Sequence, residues 1–332
     1  MKRNWPRQQP LVALDAAGVV RLLEPLYPDA AVETVTPLTG GLINTNLRVT
    51  LAGRSKPLLL RLYQREASLA RKEAAIAEAL ANRLPVPRFL LVADDNPVTG
   101  HAYAVTDCIE GERFDQVASD LADEELIDLG RQIGKVLSRI HGVKFSRHGF
   151  FADGLAVPEA IDLDQRGILA FLRACLNQEP GRSRLDTALA EAAVELMQHH
   201  GALIDSWLPA PCLVHGDFNP QNLLVAQDEA SGRWRLATVL DWEFAFSGTP
   251  AFDLGNLIRP PLGWHDDFVT AVAAGYRESG EHLPDDWQRI ARLIDLTAWA
   301  EMIARPEADA VVIKDAQAIF RQTVANEAGQ AG

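Results

Sequence analysis

Cysteine is scarce in this chain of 332 residues, which has only Cys108, Cys175 and Cys212. These three residues lie far apart, and their spacing matches no metal-ligand pattern. An odd number of scattered cysteines is typical of a protein kept in a reducing compartment, so we expect a cytoplasmic location.

Long apolar runs are also missing from the chain. No apolar stretch approaches the ~20 residues that a membrane-spanning helix needs. The first residues, Met1 to Pro6, lack the apolar core of a signal peptide. There is no internal repeat and no low-complexity linker. We therefore expect a globular protein without a membrane partner.

Basic residues are fewer than acidic ones, 32 against 45, which gives a formal net charge of −13. An acidic chain is a poor match for the phosphate backbone, so we expect no nucleic-acid partner. The charge is compatible with a cationic substrate, or it is a solubility feature. Hydrophobic residues make up 48% and charged residues 23% of the chain, as is ordinary for a globular enzyme. The length allows one large domain or two smaller ones.

Two short polar segments carry the chemistry. The first runs from His215 through Gly and Asp217 to Asn222, and the second contains Asp241 followed by Trp and Glu243. An acid, an amide five residues later and a second acid after an apolar run form a minimal set for phosphoryl transfer. One carboxylate takes the proton of an attacking hydroxyl, while the amide oxygen and the second carboxylate hold Mg²⁺ against the phosphates. The alternative is a turn held by Asx hydrogen bonds.

The apolar residues around these segments predict short strands. Leu213 and Val214 precede the first segment, residues 223–225 follow it, and residues 235–240 lead to Asp241. If the last two runs pair as a hairpin, Asn222 and Asp241 come to the same rim.

The pattern His-Gly-Asp-x-x-x-x-Asn followed by Asp-Trp-Glu resembles that of the aminoglycoside phosphotransferase and choline kinase group of small-molecule kinases. Protein kinases carry His-Arg-Asp-x-x-x-x-Asn and Asp-Phe-Gly instead. The resemblance implies that Asp217 is the catalytic base and that Asn222 and Asp241 are Mg²⁺ ligands. It also implies that His215 braces the catalytic loop and that Asp253 supports this loop from beneath.

A glycine-containing loop stands between two predicted strands in the N-terminal half, residues 32–37 and 47–51. Glycine permits a close approach of the backbone to phosphate oxygens, and Thr and Asn side chains can donate hydrogen bonds to them. The resemblance implies that Gly40, Gly41 and Asn44 bind the nucleotide. The alternative is an ordinary Gly-Gly hairpin turn.

A basic residue and an acidic residue follow this loop. Alternation along the strand of residues 57–63 puts Leu59 and Arg61 on one face, where Leu59 would cover the adenine and Arg61 would contact the α- and β-phosphates. The alternative is an arginine that extends from the strand end to solvent. Glu73 lies near the start of a predicted helix over residues 69–84. The resemblance implies that Glu73 pairs with Arg61; the alternative is an exposed Glu stabilised by the helix N-terminus.

Two more strands, residues 89–92 and 102–106, lead to a link that contains Asp107 and Ile109. The resemblance implies that the backbone of this link binds the adenine edge. Helices follow, and His141 before Gly142 is interpreted as a helix cap. The predicted fold is α+β and protein-kinase-like, with a small antiparallel-sheet N-lobe and a larger, mainly helical C-lobe. The predicted boundaries are 1–107, including a leading helical segment over residues 1–30, then 108–112 for the hinge and 113–332 for the C-lobe.

These observations predict an ATP- and Mg²⁺-dependent kinase that phosphorylates a hydroxyl of a small molecule. The acceptor stays open among aminoglycoside-like antibiotics, choline-like alcohols, homoserine and sugars, with Glu243, Asp266 or Asp267 as candidate acidic contacts. The preference for ATP over GTP and the oligomeric state also stay open. A non-catalytic nucleotide-binding scaffold is the alternative. A protein kinase fits less well, because only eleven residues separate Asp241 from Asp253 and no Ala-Pro-Glu anchor follows.

Overall fold

The computed structural model describes residues 5–38, 41 and 43–329. Gly40, which was predicted to contact the nucleotide, lies outside the described residues. The N-terminal lobe contains α1 (Ala16–Leu23), β1 (Val32–Leu38), β2 (Thr45–Leu51), β3 (Leu58–Tyr63), α2 (Ser68–Leu80), β4 (Phe89–Ala93) and β5 (Ala102–Asp107). The strands form one antiparallel sheet in the order β1-β2-β3-β5-β4.

Side-chain alternation in β3 sets the two faces of this sheet. Leu58, Leu60 and Leu62 are fully buried in a core that they share with α1. Because neighbouring strand residues point to opposite faces, Arg61 lies on the other side, towards α2. The alternation predicted from the sequence is therefore confirmed.

Two helix predictions in this lobe were too long. The first helix begins only at Ala16, where the Asp15 carboxylate caps it by accepting a hydrogen bond from Gly18 N at 2.8 Å. Residues 5–14, which we call the N-terminal segment, form no helix. Helix α2 ends at Leu80 rather than residue 84, because the chain tightens into a turn shortly before Pro85.

The C-terminal region is mainly helical. It contains β6 (Glu112–Arg113), α3 (Phe114–Val117), α4 (Asp123–His141), β7 (Gly149–Phe150), α5 (Gln165–Asn177), α6 (Gly181–Arg184), α7 (Thr187–Ser206), β8 (Cys212–Val214), β9 (Leu223–Gln227), β10 (Trp234–Val239), β11 (Phe246–Gly248), α8 (Ala251–Leu257), α9 (Asp266–Glu278), α10 (Trp287–Ala304) and α11 (Ala310–Gly329). The predicted α+β class, a small antiparallel sheet followed by a larger helical region, is confirmed. Within the described ranges, no helix has both the length and the apolar content needed to cross a bilayer.

Short strands hold the two polar segments together. Strands β9 and β10 pair antiparallel, with Leu223 opposite Val239, and the N–H of Leu240 donates to the carbonyl of Asn222 at 2.8 Å. This hairpin brings Asn222 beside the residue that precedes Asp241, as predicted. Strand β8 pairs with β11, so both ends of each polar segment are attached to paired strands.

Helices α4 and α9 pack closely, with Gly134 at their contact. A Cβ atom at Gly134 would lie 2.0 Å from the carbonyl oxygen of Val272 and 2.8 Å from the backbone nitrogen of Tyr276. These are backbone atoms of a buried helix, so they cannot move aside without shifting the helix. The small size of Gly134 is therefore required for the position of α9.

We predict that Gly134→Ala destabilises the protein by about 1–3 kcal/mol, because it overpacks a contact between two backbones. The free energy of unfolding is measured by urea denaturation. Arg131→Ala is the control, since Arg131 is an exposed residue of the same helix. Equal stabilities of the two variants would contradict the packing argument.

Candidate active site

A buried carboxylate supports the loop that carries Asp217. Asp253, in the first turn of α8, is fully buried. Its two oxygens accept hydrogen bonds from the backbone N–H groups of His215 and Gly216, at 2.8 and 2.9 Å. Gly216 has a φ of +77°, and a Cβ there would lie 2.5 Å from the carbonyl oxygen of Phe244. Only glycine fits this position.

His215 connects the two polar segments. Its Nε2 lies 2.8 Å from the carbonyl oxygen of Leu240, which can only accept, so Nε2 carries the hydrogen. Its Nδ1 then accepts from the N–H of Asp217, at 3.2 Å. The ring packs against Trp242, with ring centres 4.6 Å apart. A neutral imidazole with one defined tautomer thus joins the backbone of Asp217 to the strand end before Asp241.

The interpretation of His141 as a helix cap was wrong. This last residue of α4 is fully buried, and its Nδ1 lies 2.9 Å from the hydroxyl of Tyr276. Its Nε2 lies 3.2 Å from Oδ2 of Asp253. Packing of α8 and α9 around the end of α4 directs the ring away from the helix carbonyls. His141 is therefore the third partner of the carboxylate beneath the loop.

The carboxylate of Asp217 is held by two amides. Its Oδ1 accepts from Asn219 Nδ2 at 2.9 Å, and its Oδ2 accepts from Asn222 Nδ2 at 3.1 Å. The side chain is mostly buried and lines a cavity. Because its amide nitrogen faces Asp217, Asn222 has its side-chain oxygen available for another partner. This arrangement fixes both the carboxylate and the amide.

The predicted ion pair between Arg61 and Glu73 is present. Arg61 Nη2 lies 3.2 Å from Oε1 of Glu73 and 2.5 Å from Oδ1 of Asp241. The hydroxyl of Tyr63 donates to the other oxygen of Glu73 at 2.6 Å. Glu73 is 5% exposed, which excludes the alternative of a solvated helix residue. Arg61 therefore joins the N-terminal lobe to the Asp241 segment.

Burial and charge shift the pKa values of Arg61 and Glu73 in opposite directions. Burial lowers the pKa of Arg61, but the carboxylates of Glu73 and Asp241 outweigh it, so the pKa lies well above the usual value. Burial raises the pKa of Glu73, and the charge of Arg61 opposes this rise. A buried carboxylate between a cation and a phenol hydroxyl is held in one orientation.

Asn44 makes a second link between the lobes. Its Nδ2 donates to Oε2 of Glu243 at 3.2 Å, and its Oδ1 accepts from the N–H of Gln64 at 3.2 Å. Burial, and then the charge of Asp241, raise the pKa of Glu243 to about 7. The predicted contact of Asn44 with phosphate stays a prediction, since both ends of its amide also bind protein groups.

Most of the predicted site residues line one cavity of about 170 Å³. These residues are Gly41, Asn44, Arg61, Asp217, Asn222, Asp241 and Glu243. Neither Asp107 nor Ile109 belongs to this lining, and the carboxylate of Asp107 accepts from Arg54 at 2.9 Å. Their adenine contacts stay predictions. Asp266 and Asp267, two of the candidate substrate contacts, are exposed in the first turn of α9 and also lie outside the lining.

Sequence reasoning missed Arg7, in the N-terminal segment. Its Nη1 donates to the carbonyl of Gly41 at 2.5 Å, and its Nη2 donates to the carbonyls of Ile43 and Asn44, both at 2.9 Å. In a trans peptide group, the carbonyl of one residue and the N–H of the next residue point in opposite directions. Arg7 therefore fixes the direction of backbone amides in the glycine-containing loop.

Trp5 attaches the same segment to the helical lobe. Its ring meets Trp299 of α10 edge-on, with ring centres 6.4 Å apart, and its Nε1 donates to Oδ2 of Asp315 at 3.1 Å. The N-terminal segment thus crosses from the glycine-containing loop to α10 and α11 beside the cavity. No motif or periodicity in the sequence predicts that this segment connects the loop to the helices, because an irregular segment has neither.

Comparisons with known proteins show the family and the fold of this chain. The model of the phosphotransferase enzyme family matches residues 34–293. Among solved structures, a GDP complex of a mutant aminoglycoside 2'-phosphotransferase IIIa has a TM-score of 0.72 and 17% identity, covering 96% of this chain and 100% of that one. A ternary complex of APH(4)-Ia with AMP-PNP and hygromycin B has a TM-score of 0.67 and 18% identity, covering 94% and 99%. No curated protein matches the chain.

We predict that Arg7→Met loosens the glycine-containing loop, because three carbonyls lose a charged donor. A hydrogen bond from a charged donor is worth about 1.5–3 kcal/mol, so amide exchange at Asn44 should accelerate by about tenfold or more. Hydrogen exchange followed by mass spectrometry measures this. Gln9→Met, at an exposed position of the same segment, is the control. Identical exchange at Asn44 in both variants would show that Arg7 does not hold the loop.

Proposed function

Since the chain belongs to the phosphotransferase enzyme family, we propose that it transfers the γ-phosphate of ATP to a hydroxyl of a small molecule, with Mg²⁺. The observation that carries this proposal is the convergence of Asp217, Asn222, Asp241 and Arg61 on one cavity. These groups supply a base, two oxygen ligands and a cation, which are the parts that phosphoryl transfer needs.

Asp217 acts as the base in this proposal. Hydrogen bonds from Asn219 and Asn222 hold its carboxylate in one orientation. The acceptor hydroxyl gives its proton to this carboxylate as its oxygen attacks the γ-phosphorus. The bond from this phosphorus to the β,γ-bridging oxygen breaks, and ADP leaves with that oxygen. A fixed base avoids the entropy cost of finding the attacking hydroxyl.

Asn222 and Asp241 are the proposed Mg²⁺ ligands, and their chemistry fits. Magnesium prefers hard oxygen ligands, and its sites often combine one or two carboxylates with substrate phosphates. Asn222 offers an amide oxygen because its nitrogen binds Asp217, and Asp241 offers a carboxylate at the cavity wall. Bound Mg²⁺ would neutralise negative charge on the phosphates. No group of three or more His, Cys, Asp and Glu side chains in the described chain has metal-binding geometry, so phosphate oxygens and water would complete the coordination.

Arg61 is the proposed phosphate contact. Its Nε–H is buried and lacks a hydrogen-bond partner among the described residues. An unpaired buried donor is costly, and a phosphate oxygen would satisfy it. Glu73 and Tyr63 keep the guanidinium at this place. The proposal assigns nucleotide contacts also to Gly40, Gly41 and Asn44, and adenine contacts to the backbone of Asp107 and Ile109.

Asp217→Asn tests the proposed function. This change should leave MgATP binding intact and lower turnover by about 10²–10⁴-fold, the usual contribution of a general base. ADP formation is measured across a library of hydroxyl compounds, and nucleotide binding is measured by thermal shift with and without Mg²⁺.

Asp285→Asn is the matched control, because it makes the same chemical change at a fully exposed side chain. A wild type that binds MgATP but phosphorylates no compound, with Asp217→Asn indistinguishable from it, would favour a nucleotide-binding scaffold instead. Retention of more than half the wild-type rate by Asp217→Asn would refute its role as base.

We further predict that Arg61 and Glu73 act as a unit on the nucleotide. Arg61→Ala removes the cation, whereas Glu73→Ala leaves it charged but poorly oriented. The double variant should therefore lose little more kcat/KM for ATP than Arg61→Ala alone. The four proteins are compared with one acceptor, or as ATP hydrolysis. Losses that simply add in free energy would mean that Glu73 does not position Arg61.

A further inference from the structure

A second cavity, of about 390 Å³, adjoins the catalytic loop. Its walls come from the loop residues Asn219, Pro220 and Gln221, the end of α3, the link between α8 and α9, and Trp299 of α10. Gln221 also lines the cavity that contains Asp217. The two cavities therefore meet at Gln221, one residue before a proposed Mg²⁺ ligand.

The walls of this second cavity are largely apolar. The residues that supply apolar surface are Ala118, Pro220, Pro260, Pro261, Leu262 and Trp299. A cavity of this volume and character matches a small organic molecule whose body is buried on binding. The rigid rings of Pro220, Pro260 and Pro261 favour a ring-containing body over a flexible polar chain.

The cavity offers no free carboxylate to a cation. Asp115 is the one acidic residue among its described lining residues, and Arg113 binds both of its oxygens, each at 2.9 Å. A compound with several ammonium groups would lose their hydration here without gaining counter-charges. The acidic excess of the chain is therefore not present as unpaired carboxylates among the described residues that line this cavity.

Arg259 supplies a polar contact instead. Its Nε and Nη2 bind the carboxylate of Asp295 at 2.7–3.1 Å, and the guanidinium lies 4.5 Å from the ring centre of Trp299. The charge of Arg259 is thus balanced by a buried partner. Its Nη1 takes no part in this ion pair, and Arg259 is among the residues that line the cavity, so a donor is left for a ligand oxygen.

We propose that this cavity holds the body of the phosphate acceptor, and that the acceptor is an uncharged alcohol with an apolar, ring-containing body. An oxygen of this body accepts a hydrogen bond from Arg259, and the hydroxyl reaches Asp217 past Gln221. The assignment rests on the proposed kinase function and narrows its acceptor class. This assignment excludes polycationic aminoglycosides as the acceptor.

Binding of two probes tests this proposal. Indole-3-ethanol is an uncharged aromatic alcohol, and kanamycin A is a polycation with many hydroxyls. Each is titrated by ligand-observed NMR into the protein with Mg²⁺ and a non-hydrolysable ATP analogue. We expect millimolar binding of indole-3-ethanol, no displacement of it by kanamycin A, and no phosphorylation of kanamycin A when ATP is supplied.

Cavity-filling variants locate the binding. Ala118→Trp should weaken the affinity for indole-3-ethanol by about tenfold or more, a loss of about 1.4 kcal/mol. Ser119→Trp fills the same cavity from an exposed position, in case Ala118→Trp fails to fold. Ala188→Trp, at an exposed site in α7, is the matched control and should leave the affinity unchanged.

Absence of indole-3-ethanol binding to the wild type would overturn the proposal. Equal binding to the cavity-filling variants, or phosphorylation of kanamycin A, would also overturn it. Failure of the proposed function gives a different result, since the wild type would then show no Mg²⁺-dependent binding of the ATP analogue, or would bind the analogue but transfer phosphate from ATP to no hydroxyl compound. Probe binding and nucleotide binding are read in separate titrations, so the two failures are distinguishable.

Discussion

The geometry of the site depends on the buried carboxylate of Asp253. It accepts hydrogen bonds from two consecutive backbone amides, those of His215 and Gly216, and it contacts His141 on its other side. A buried carboxylate is costly unless its lone pairs are satisfied, so these partners and Asp253 require one another. Tyr276 then connects this cluster to the packed pair α4 and α9. Hydrogen bonds thus connect the packed helices α4 and α9, which meet at Gly134, to the loop that carries Asp217.

The Asp241 segment is where the two lobes meet. Arg61 binds Asp241, Asn44 binds the side chain of Glu243, and the ammonium of Lys72 donates to the carbonyl of Glu243 at 2.5 Å. Partial burial lowers the pKa of Lys72. Three N-lobe side chains therefore depend on the conformation of one short segment.

The parts of the structure that follow from local chemistry could be predicted. Strand alternation placed Arg61 on the correct face, the apolar runs around Asn222 and Asp241 became a hairpin, and the two polar segments resembled a family to which the chain does belong. Roles set by distant packing could not be predicted. His141 contacts Asp253, 112 residues away in sequence, and its position before a glycine favoured a cap. Arg7 binds carbonyl groups, which leave no trace in side-chain patterns.

The acceptor side of the enzyme shows why family membership does not identify a substrate. The groups proposed to act on the phosphates lie on the catalytic loop, the β9–β10 hairpin and β3. The second cavity shares Asn219, Pro220 and Gln221 with the catalytic loop but takes its other walls from α3, the α8–α9 link and the helices α8 and α10. The latter elements can change side chains without disturbing the former, so acceptors can change while the transfer chemistry is kept. Composition does not identify the substrate either, because a net charge is a sum over the whole chain and does not say where the charges lie. Under the proposal made here, discrimination between alcohols comes from the lack of an unpaired carboxylate among the described residues that line the second cavity, together with the guanidinium nitrogen of Arg259 that does not bind Asp295.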